Sequence, residues 1–256
     1  MLEKYGMADC KPMDTPLEQN VKLQIDVGTE IENVTMYRQM VGSLIYLTIT
    51  RPDLSYAVGL ISQFVQKPRK PHLDAVRRIL RYVKSTTDHG LFYAYGKPLD
   101  LMGYTDADWA GCTYDRRSTS GYAFGLGSSM ISWQSKKQPT VALSSTEVEY
   151  RGAALAACEA MWLQKLLNDL GVHLDSKVKL YCDNLSSVML ASNPVYHARS
   201  KHIEVHYHFI REMVLADQID LEHVKTEDQV ADIFTKSLGK DKFIYFRKLL
   251  GVLQMV

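Results

Sequence analysis

Four acidic residues in separate parts of the sequence have the settings expected of a divalent-metal site. Asp106 and Asp183 each come at the end of an alternating run that predicts a β-strand, and we expect Asp106 to face solvent at the strand's edge. Glu149 falls in the first turn of a long predicted helix, and Asp232 lies on a later one. Converging carboxylates repel one another unless cations lie between them, and hard oxygen ligands favour Mg²⁺ or Mn²⁺. The pattern therefore predicts a magnesium or manganese site.

Two such ions, ~3.5–4 Å apart, can activate a water and stabilise the leaving oxygen in phosphodiester hydrolysis. The same four residues would then be both metal ligands and catalytic residues. Each of them has an ordinary alternative, because aspartates at strand ends form turns and glutamates at helix starts favour the helix dipole. The order of all four along the chain, on suitable elements, favours the hydrolytic interpretation.

The elements that must position these residues form a mixed pattern. After residue 90, apolar residues alternate with polar ones in several segments, as in β-strands. Segments with apolar residues at helical spacing lie between these predicted strands. The order three strands, helix, strand, helix, helix, strand, helix predicts an α/β fold, a mixed sheet flanked by helices. The predicted strands are 91–95, 99–105, 120–125, 130–133, 178–183 and 219–224, and the predicted helices are 144–170, 184–191, 202–215, 227–238 and 242–250.

A different pattern precedes the sheet. Apolar residues recur at helical spacing in three segments that begin near residues 35, 52 and 72, which predicts a small helical bundle. The third helix carries Arg77 and Arg81 on its polar face. Such a face is either a solvated surface or a surface that tracks nucleic-acid phosphates.

A second basic cluster lies near residue 200. We expect it to contact nucleic acid, with a solvated helix as the alternative. The cluster offers no convincing tetrahedral zinc set, although it contains histidines at helical spacing. The expected nucleic-acid contacts in this cluster are Arg199, Lys201, His202 and Arg211.

The composition is that of a globular protein. The 256 residues are 46% hydrophobic and 23% charged, and the net charge of +1 means that any nucleic-acid binding must depend on local patches. The four cysteines are scattered without a Cys-x-x-Cys pair, which fits a reducing compartment. No apolar run has the length of a membrane span. We therefore expect a soluble, intracellular protein without a membrane partner.

Several stretches resemble a known family. The ribonuclease H domain of copia-type retrotransposon polyproteins is similar to the second part of the chain, and the polymerase thumb and connection of the same polyproteins are similar to the first part. The matching stretches are YTDADWAG (104–111), STSGY (118–122), SWQSKKQ (132–138), LSSTEVEY (143–150), YCDN (181–184), KHIE (201–204) and QVADI (229–233), and before them YRQMVGSL (37–44), TRPDL (50–54) and RILRY (78–82).

The resemblance implies a function and a domain organisation. It implies a ribonuclease H-like fold that cleaves the RNA strand of an RNA–DNA hybrid with two Mg²⁺ or Mn²⁺ ions. The family's ligands fall on Asp106, Glu149, Asp183 and Asp232, with Glu147 as a rival to Glu149. The implied domains are a thumb and connection remnant at 1–90, a ribonuclease H-like domain at 91–240 and a helical tail at 241–256.

The chain also departs from the family pattern. The loop before Asp232, residues 224–228, lacks the histidine that many ribonucleases H carry, and His223 is expected on the preceding strand. No Tyr-x-Asp-Asp motif occurs, so we expect no polymerase activity and a place in a longer polyprotein, with the rest of a retroelement polymerase as a partner. The alternative is an inactive remnant that binds nucleic acid. An integrase or resolvase of related fold is a third hypothesis.

Overall fold

The computed structural model describes residues 1–174, 176–192 and 209–255, and the chain divides into two compact units. Unit 1 comprises Met1–Phe92, Cys112–Asp115 and Lys236–Val256, and unit 2 comprises Tyr93–Gly111 and Arg116–Thr235. The helices are α1 Val34–Leu47, α2 Ser55–Ser62, α3 Lys70–Ser85, α4 Ser145–Asp169, α5 Leu185–Ser192 and α6 Lys240–Leu249. The strands are β1 His89–Leu91, β2 Leu101–Asp108, β3 Thr119–Leu126, β4 Ser129–Lys137, β5 Val178–Cys182, β6 Ile219–His223 and β7 Val252–Gln254.

Unit 2 is built on a five-stranded mixed sheet. Its strand order is β4-β3-β2-β5-β6, in which β4, β3 and β2 are antiparallel neighbours and β2, β5 and β6 are parallel neighbours. The long helix α4 packs on β2, β3 and β5, and α5 packs on β5 and β6. The mixed sheet with flanking helices that the sequence predicted is thus confirmed. Strand β2 lies at its centre.

Small side chains allow α4 to lie close to the sheet. Ala153, Ala156, Ala157 and Ala160 are fully buried against it. They provide a narrow contact face while keeping high helix propensity. The helix begins at a conventional cap, where the Ser144 hydroxyl accepts a hydrogen bond from the Glu147 backbone N–H. The N-terminal half of α4 is thereby fixed beside β2.

Several predicted elements differ in the structure. The predicted helix 227–238 is a single 3₁₀ helix, Val230–Phe234, because its apolar side chains pack flat on β2 and β3. The predicted strand 91–95 is replaced by β1, which pairs with β7 near the end of the chain, a long-range pairing that local patterns do not encode. Strand β2 extends to Asp108 rather than ending at residue 105. Residues 209–215 are helical, whereas the predicted helical positions 202–208 lie outside the described residues.

Unit 1 contains the helical region that precedes the sheet. Helices α1, α2 and α3 pack against one another, as predicted from their apolar periods. Their shared core includes Tyr37, Leu44, Ile61, Val76 and Ile79, all of them fully buried. The Tyr37 hydroxyl donates to the Ile61 carbonyl oxygen at 2.7 Å, which satisfies its one polar group inside this core.

A search for membrane-spanning helices within residues 1–174, 176–192 and 209–255 finds none that is sufficiently long and apolar.

Candidate functional site

Asp106 lies inside the central strand rather than at an exposed end. It is the sixth residue of β2, pairs with Gly121 of β3 and is only 1% exposed, so the expectation that it faces solvent at a strand edge is wrong. The 3₁₀ helix packs over this part of β2 and covers the side chain. The Thr235 hydroxyl donates a hydrogen bond to Asp106 Oδ2. The carboxylate is therefore held in one orientation.

The 3₁₀ helix that carries Asp232 is fastened to the sheet at both ends. At its start, Gln229 Nε2 donates to the Thr105 carbonyl oxygen at 2.9 Å. At its end, the Ser135 hydroxyl donates to the Phe234 carbonyl oxygen at 2.6 Å. Asp232 between them is 1% exposed. The tertiary contacts of a five-residue element, rather than helix propensity, place this carboxylate.

Gly121 makes the close packing of the 3₁₀ helix possible. A Cβ at position 121 would lie 2.5 Å from the Phe234 Cβ, closer than real Cβ contacts. A side chain at this position would push Phe234, and with it Asp232, away from the sheet.

The predicted carboxylates converge in unit 2. Single oxygen atoms of Asp106, Asp183 and Asp232 all lie within 4.8 Å of one another. Asp183 directly follows β5, as the sequence predicted, and is half-buried. Since Thr105 of β2 pairs with Cys182 of the parallel strand β5, the residues that follow them, Asp106 and Asp183, lie side by side. This acidic cluster of three is compatible with a divalent cation.

Glu149 belongs to a second, overlapping group. One carboxylate oxygen of Glu149, one of Asp183 and the Cys182 sulfur lie within 4.8 Å of one another. Glu149 is the fifth residue of α4, so it lies beyond the first turn in which we expected it, and Glu147 occupies that turn. Asp183 is shared by both groups. The geometry brings all four predicted ligands to one region of unit 2.

The structure distinguishes Glu149 from Glu147, the alternative candidate for the same ligand position. Glu147 is 2% exposed; its Oε2 accepts from the Leu143 backbone N–H at 2.7 Å, and its Oε1 accepts from the Arg151 guanidinium at 2.5 Å. These contacts stabilise the start of α4. Glu147 is absent from both groups of potential ligands found among the described residues.

Cys182 places a sulfur atom, a soft ligand, beside carboxylate oxygens, which are hard ligands. It is fully buried, and burial, followed by the negative charge of Glu149, raises the pKa of its thiol well above the usual value. Mg²⁺ and Mn²⁺ prefer carboxylate oxygens, whereas sulfur ligands suit softer metals. The chemistry of the donor set is therefore that of the carboxylates, which fits Mg²⁺ or Mn²⁺.

Asp108, the last residue of β2, lies against the turn that follows the strand. Its carboxylate lies against Gly111, where an added Cβ would come within 1.6 Å of Asp108 Oδ2. Glycine at position 111 therefore lets the strand-end aspartate fold back over the following turn.

The predicted nucleic-acid contacts fall in different settings. On α3 of unit 1, Arg81 is exposed, and Arg77 lies 3.8 Å from Asp74 in a partly exposed ion pair. In unit 2, Arg211 is half-buried and close enough to Tyr150 to oppose the upward shift of the Tyr150 pKa caused by burial. Arg199, Lys201 and His202 lie outside the described residues.

Sequence reasoning missed the residues that hold the ligands in place. Gln229, Thr235, Ser135 and Gly121 each determine where an aspartate lies, yet none carries a recognisable chemical signal. The family-like stretches 229–233, 132–138 and 118–122 contain Gln229, Ser135 and Gly121, and this resemblance is the signal that could have found them. His223, in contrast, is the last residue of β6, as predicted.

Comparison with known proteins finds long relatives. The chain is 46% identical over 255 residues to the retrovirus-related Pol polyprotein from transposon RE2 of Arabidopsis thaliana, covering 100% of this chain and 18% of that protein. It is 42% identical over 259 residues to the Pol polyprotein from transposon TNT 1-94 of Nicotiana tabacum, covering 98% of this chain and 19% of that protein. The chain thus spans about a fifth of these relatives. No protein-family model matches it.

Among solved structures, LC11-RNase H1 in complex with an RNA/DNA hybrid covers 53% of this chain and 94% of its own, with a TM-score of 0.39 and 16% sequence identity. The sheet of unit 2 has β2 at its centre, two antiparallel neighbours on one side and two parallel strands on the other, which is the mixed sheet flanked by helices that the sequence predicted. Over its full length, the chain is similar to a part of the retrovirus-related Pol polyproteins of copia-type transposons.

Proposed function

We propose that unit 2 is a metal-dependent ribonuclease H that hydrolyses the RNA strand of RNA–DNA hybrids. The observation that carries the proposal is the convergence of Asp106, Asp183 and Asp232 within 4.8 Å, with Glu149 adjoining through Asp183. Like charges this close repel one another strongly in a buried setting, so the arrangement is stabilised when cations bind. A position in a Pol polyprotein supports the same class of substrate.

In this proposal Asp106, Glu149, Asp183 and Asp232 hold two divalent ions. When bound, such ions lower the pKa of a water molecule and neutralise charge on the leaving oxygen. The contribution of the chain is orientation: Thr235 fixes Asp106, and the Gln229 side chain ties the segment that carries Asp232 to β2. Burial of Asp106 and Asp232 keeps both carboxylates in place before substrate arrives.

The substrate preference is also a proposal. A site of this class can use the 2′-hydroxyl to distinguish RNA from DNA. Arg77 and Arg81 of unit 1 are proposed as phosphate contacts. Their replacement by alanine should reduce the slope of log Kd against log salt concentration by about 0.9 for each phosphate that is no longer neutralised. An unchanged slope would show that this face of α3 is only solvated.

The deciding experiment uses an end-labelled RNA–DNA hybrid beside matched RNA and DNA duplexes, with Mg²⁺ and with EDTA. We expect Mg²⁺-dependent cleavage of the hybrid alone. Asp183→Asn should abolish it, and Asp220→Asn, which neutralises an exposed aspartate on β6, should not. Cleavage by Asp183→Asn at the wild-type rate would refute the assignment.

The same experiment separates the alternative function. Hybrid binding without cleavage, measured by fluorescence anisotropy at matched Mg²⁺ concentrations, would indicate an inactive remnant. Cleavage of the DNA duplex instead would favour a related nuclease that acts on DNA. An intracellular location, and assembly with the rest of a retroelement polymerase, stay predictions.

A further inference from the structure

A cavity unrelated to the acidic cluster lies within unit 2. Its volume is about 360 Å³, which is within the range of small-molecule sites. It is bounded on one side by the end of β4 and the residues that follow it, and on the other by the outer part of α4. Phe209, in the helical segment 209–215, also lines it. None of the four proposed metal ligands lines it.

The inner surface of the cavity is mostly apolar. Ala154 and Leu155 of α4 supply one wall, and Pro139 and Phe209 supply others. Leu155 is 37% exposed, so a large apolar side chain is left partly open to solvent at this position. An apolar group entering the cavity would remove this surface from water, which is favourable.

The charge of the lining has one sign. Lys136, Lys137 and Arg151 line the cavity, and its described lining contains no aspartate or glutamate. Arg151 is already paired with Glu147 at 2.5 Å. Lys136 is exposed. Lys136 therefore adds a positive charge at the edge of the cavity that Glu147, which pairs with Arg151, does not neutralise.

The wall between the lysines and α4 is braced by hydrogen bonds. Gln138 is 7% exposed, and its side-chain Nε2 donates to Ser120 Oγ at 2.7 Å and to the Val148 carbonyl oxygen at 3.1 Å. Its backbone N–H donates to the Ser118 carbonyl oxygen at 2.8 Å. One residue thus joins β3, the end of β4 and α4. The cavity is preformed, which lowers the entropic cost of filling it.

From this combination we propose that the cavity binds a small amphiphilic anion: an apolar aromatic or acyl body that carries one carboxylate, sulfonate or phosphate. The apolar body would pack against Ala154, Leu155 and Phe209. The anionic group would lie at the rim beside Lys136, which is exposed. The binding site is independent of the proposed nuclease function.

Two probes that differ in a single charged group test the proposal. Anilinonaphthalenesulfonate has the apolar body and the anion, and N-phenyl-1-naphthylamine has the same body without the sulfonate. Fluorescence titration of the full chain should give tighter binding of the sulfonate by about fivefold, since an exposed cation such as Lys136 contributes modestly. Lys136→Glu should reduce the ratio of the two affinities. Lys165→Glu changes an exposed lysine on α4 that lies outside the cavity, and it should leave the ratio unchanged.

Matched leucine variants locate the site. Leu155→Glu places a carboxylate in the cavity wall, and we expect it to weaken binding of the sulfonate at least about tenfold. Leu170→Glu adds the same charge at a leucine that is 69% exposed and lies just past the end of α4, and it should leave binding unchanged. Both positions are on the surface, so circular dichroism should confirm that both variants fold.

Three results would overturn the proposal. They are equal effects of the two leucine variants, equal affinity for the two probes, and no saturable binding of either probe. None of them bears on hybrid cleavage, which is measured separately.

Discussion

A buried carboxylate in unit 1 and a group of three carboxylates in unit 2 lie in contrasting electrostatic environments. In unit 1, Asp53 is 2% exposed and receives two hydrogen bonds from the Arg51 guanidinium, at 2.9 and 2.7 Å, and one from the Tyr82 hydroxyl at 2.5 Å. In unit 2, Asp106, Asp183 and Asp232 approach one another within 4.8 Å. The first carboxylate is neutralised by a cation of its own chain, and the second group accumulates negative charge.

The difference shows how to interpret a buried aspartate. Arg51 also donates to the Thr86 carbonyl oxygen and hydroxyl, both at 2.9 Å, so the pair joins the start of α2 to the end of α3. Burial alone would lower the pKa of Arg51, but Asp53 and Tyr82 reverse this, and the pKa is raised overall. Such a network supports structure. Carboxylates that converge on one another, in contrast, favour a bound cation and hence chemistry.

The largest expected effect comes from Asp106→Asn. The substitution keeps the shape of the side chain and removes one charge from the acidic cluster, so we expect hybrid cleavage to fall on the order of 10³-fold while the protein stays folded. Cleavage kinetics in Mg²⁺ and thermal unfolding in EDTA measure the two properties. Loss of activity that is accompanied by unfolding would mean that Asp106 has the same structural role as Asp53.

The converse substitution is Asp53→Asn. It leaves the Arg51 charge buried without its carboxylate partner, and we expect the free energy of unfolding to fall by about 3 kcal/mol. Cleavage per folded molecule should not change, since Asp53 lies outside the proposed site. Denaturation followed by circular dichroism measures the loss. A stability within about 0.5 kcal/mol of wild type would contradict the interpretation of Asp53 as a structural residue.

Mg²⁺ should distinguish the two groups without any substitution. At a free concentration about ten times its Kd, the ion should stabilise unit 2 by ~1.4 kcal/mol through mass action. Tryptophan fluorescence is a selective probe, because Trp109, Trp133 and Trp162 all belong to unit 2. Thermal unfolding of Asp183→Asn should be insensitive to Mg²⁺, and an equal stabilisation of that variant would place the ion elsewhere.

The smallest expected effect is a dependence of the stability of unit 1 on pH. His72 is buried and stacked on Phe64; its Nδ1 accepts from the Arg69 backbone N–H, and desolvation lowers its pKa below the ordinary 6.5. The unfolded chain therefore binds a proton that the folded chain does not, in the window between the lowered pKa and 6.5. The stability from neutral His72 is complete above 6.5 and is lost as pH falls through that window. Urea denaturation followed by circular dichroism across this range should show the slope, and His72→Gln should flatten it.

Some features were predictable because their signals are local. Alternation defined β3 and β5, the capping pattern at Ser144 marked the start of α4, and Gly171, with its φ of +75°, ended it. The tryptophans were harder to place. Trp109 and Trp162 are 52% and 56% exposed although both side chains are largely apolar, since the local sequence does not show which face of an element meets the sheet.

The sequence by itself determined the order of the elements, the mixed sheet and the identity of the acidic residues, because periodicity and motifs are encoded over a few neighbouring residues. Only the tertiary structure decided that Asp106 is buried in mid-strand, that Glu149 rather than Glu147 adjoins Asp183, and that a five-residue 3₁₀ helix carries Asp232. These outcomes depend on contacts such as Gln229 with Thr105, which are 124 residues apart. Contacts at that separation exist only once the sheet has formed, so no local pattern contains them.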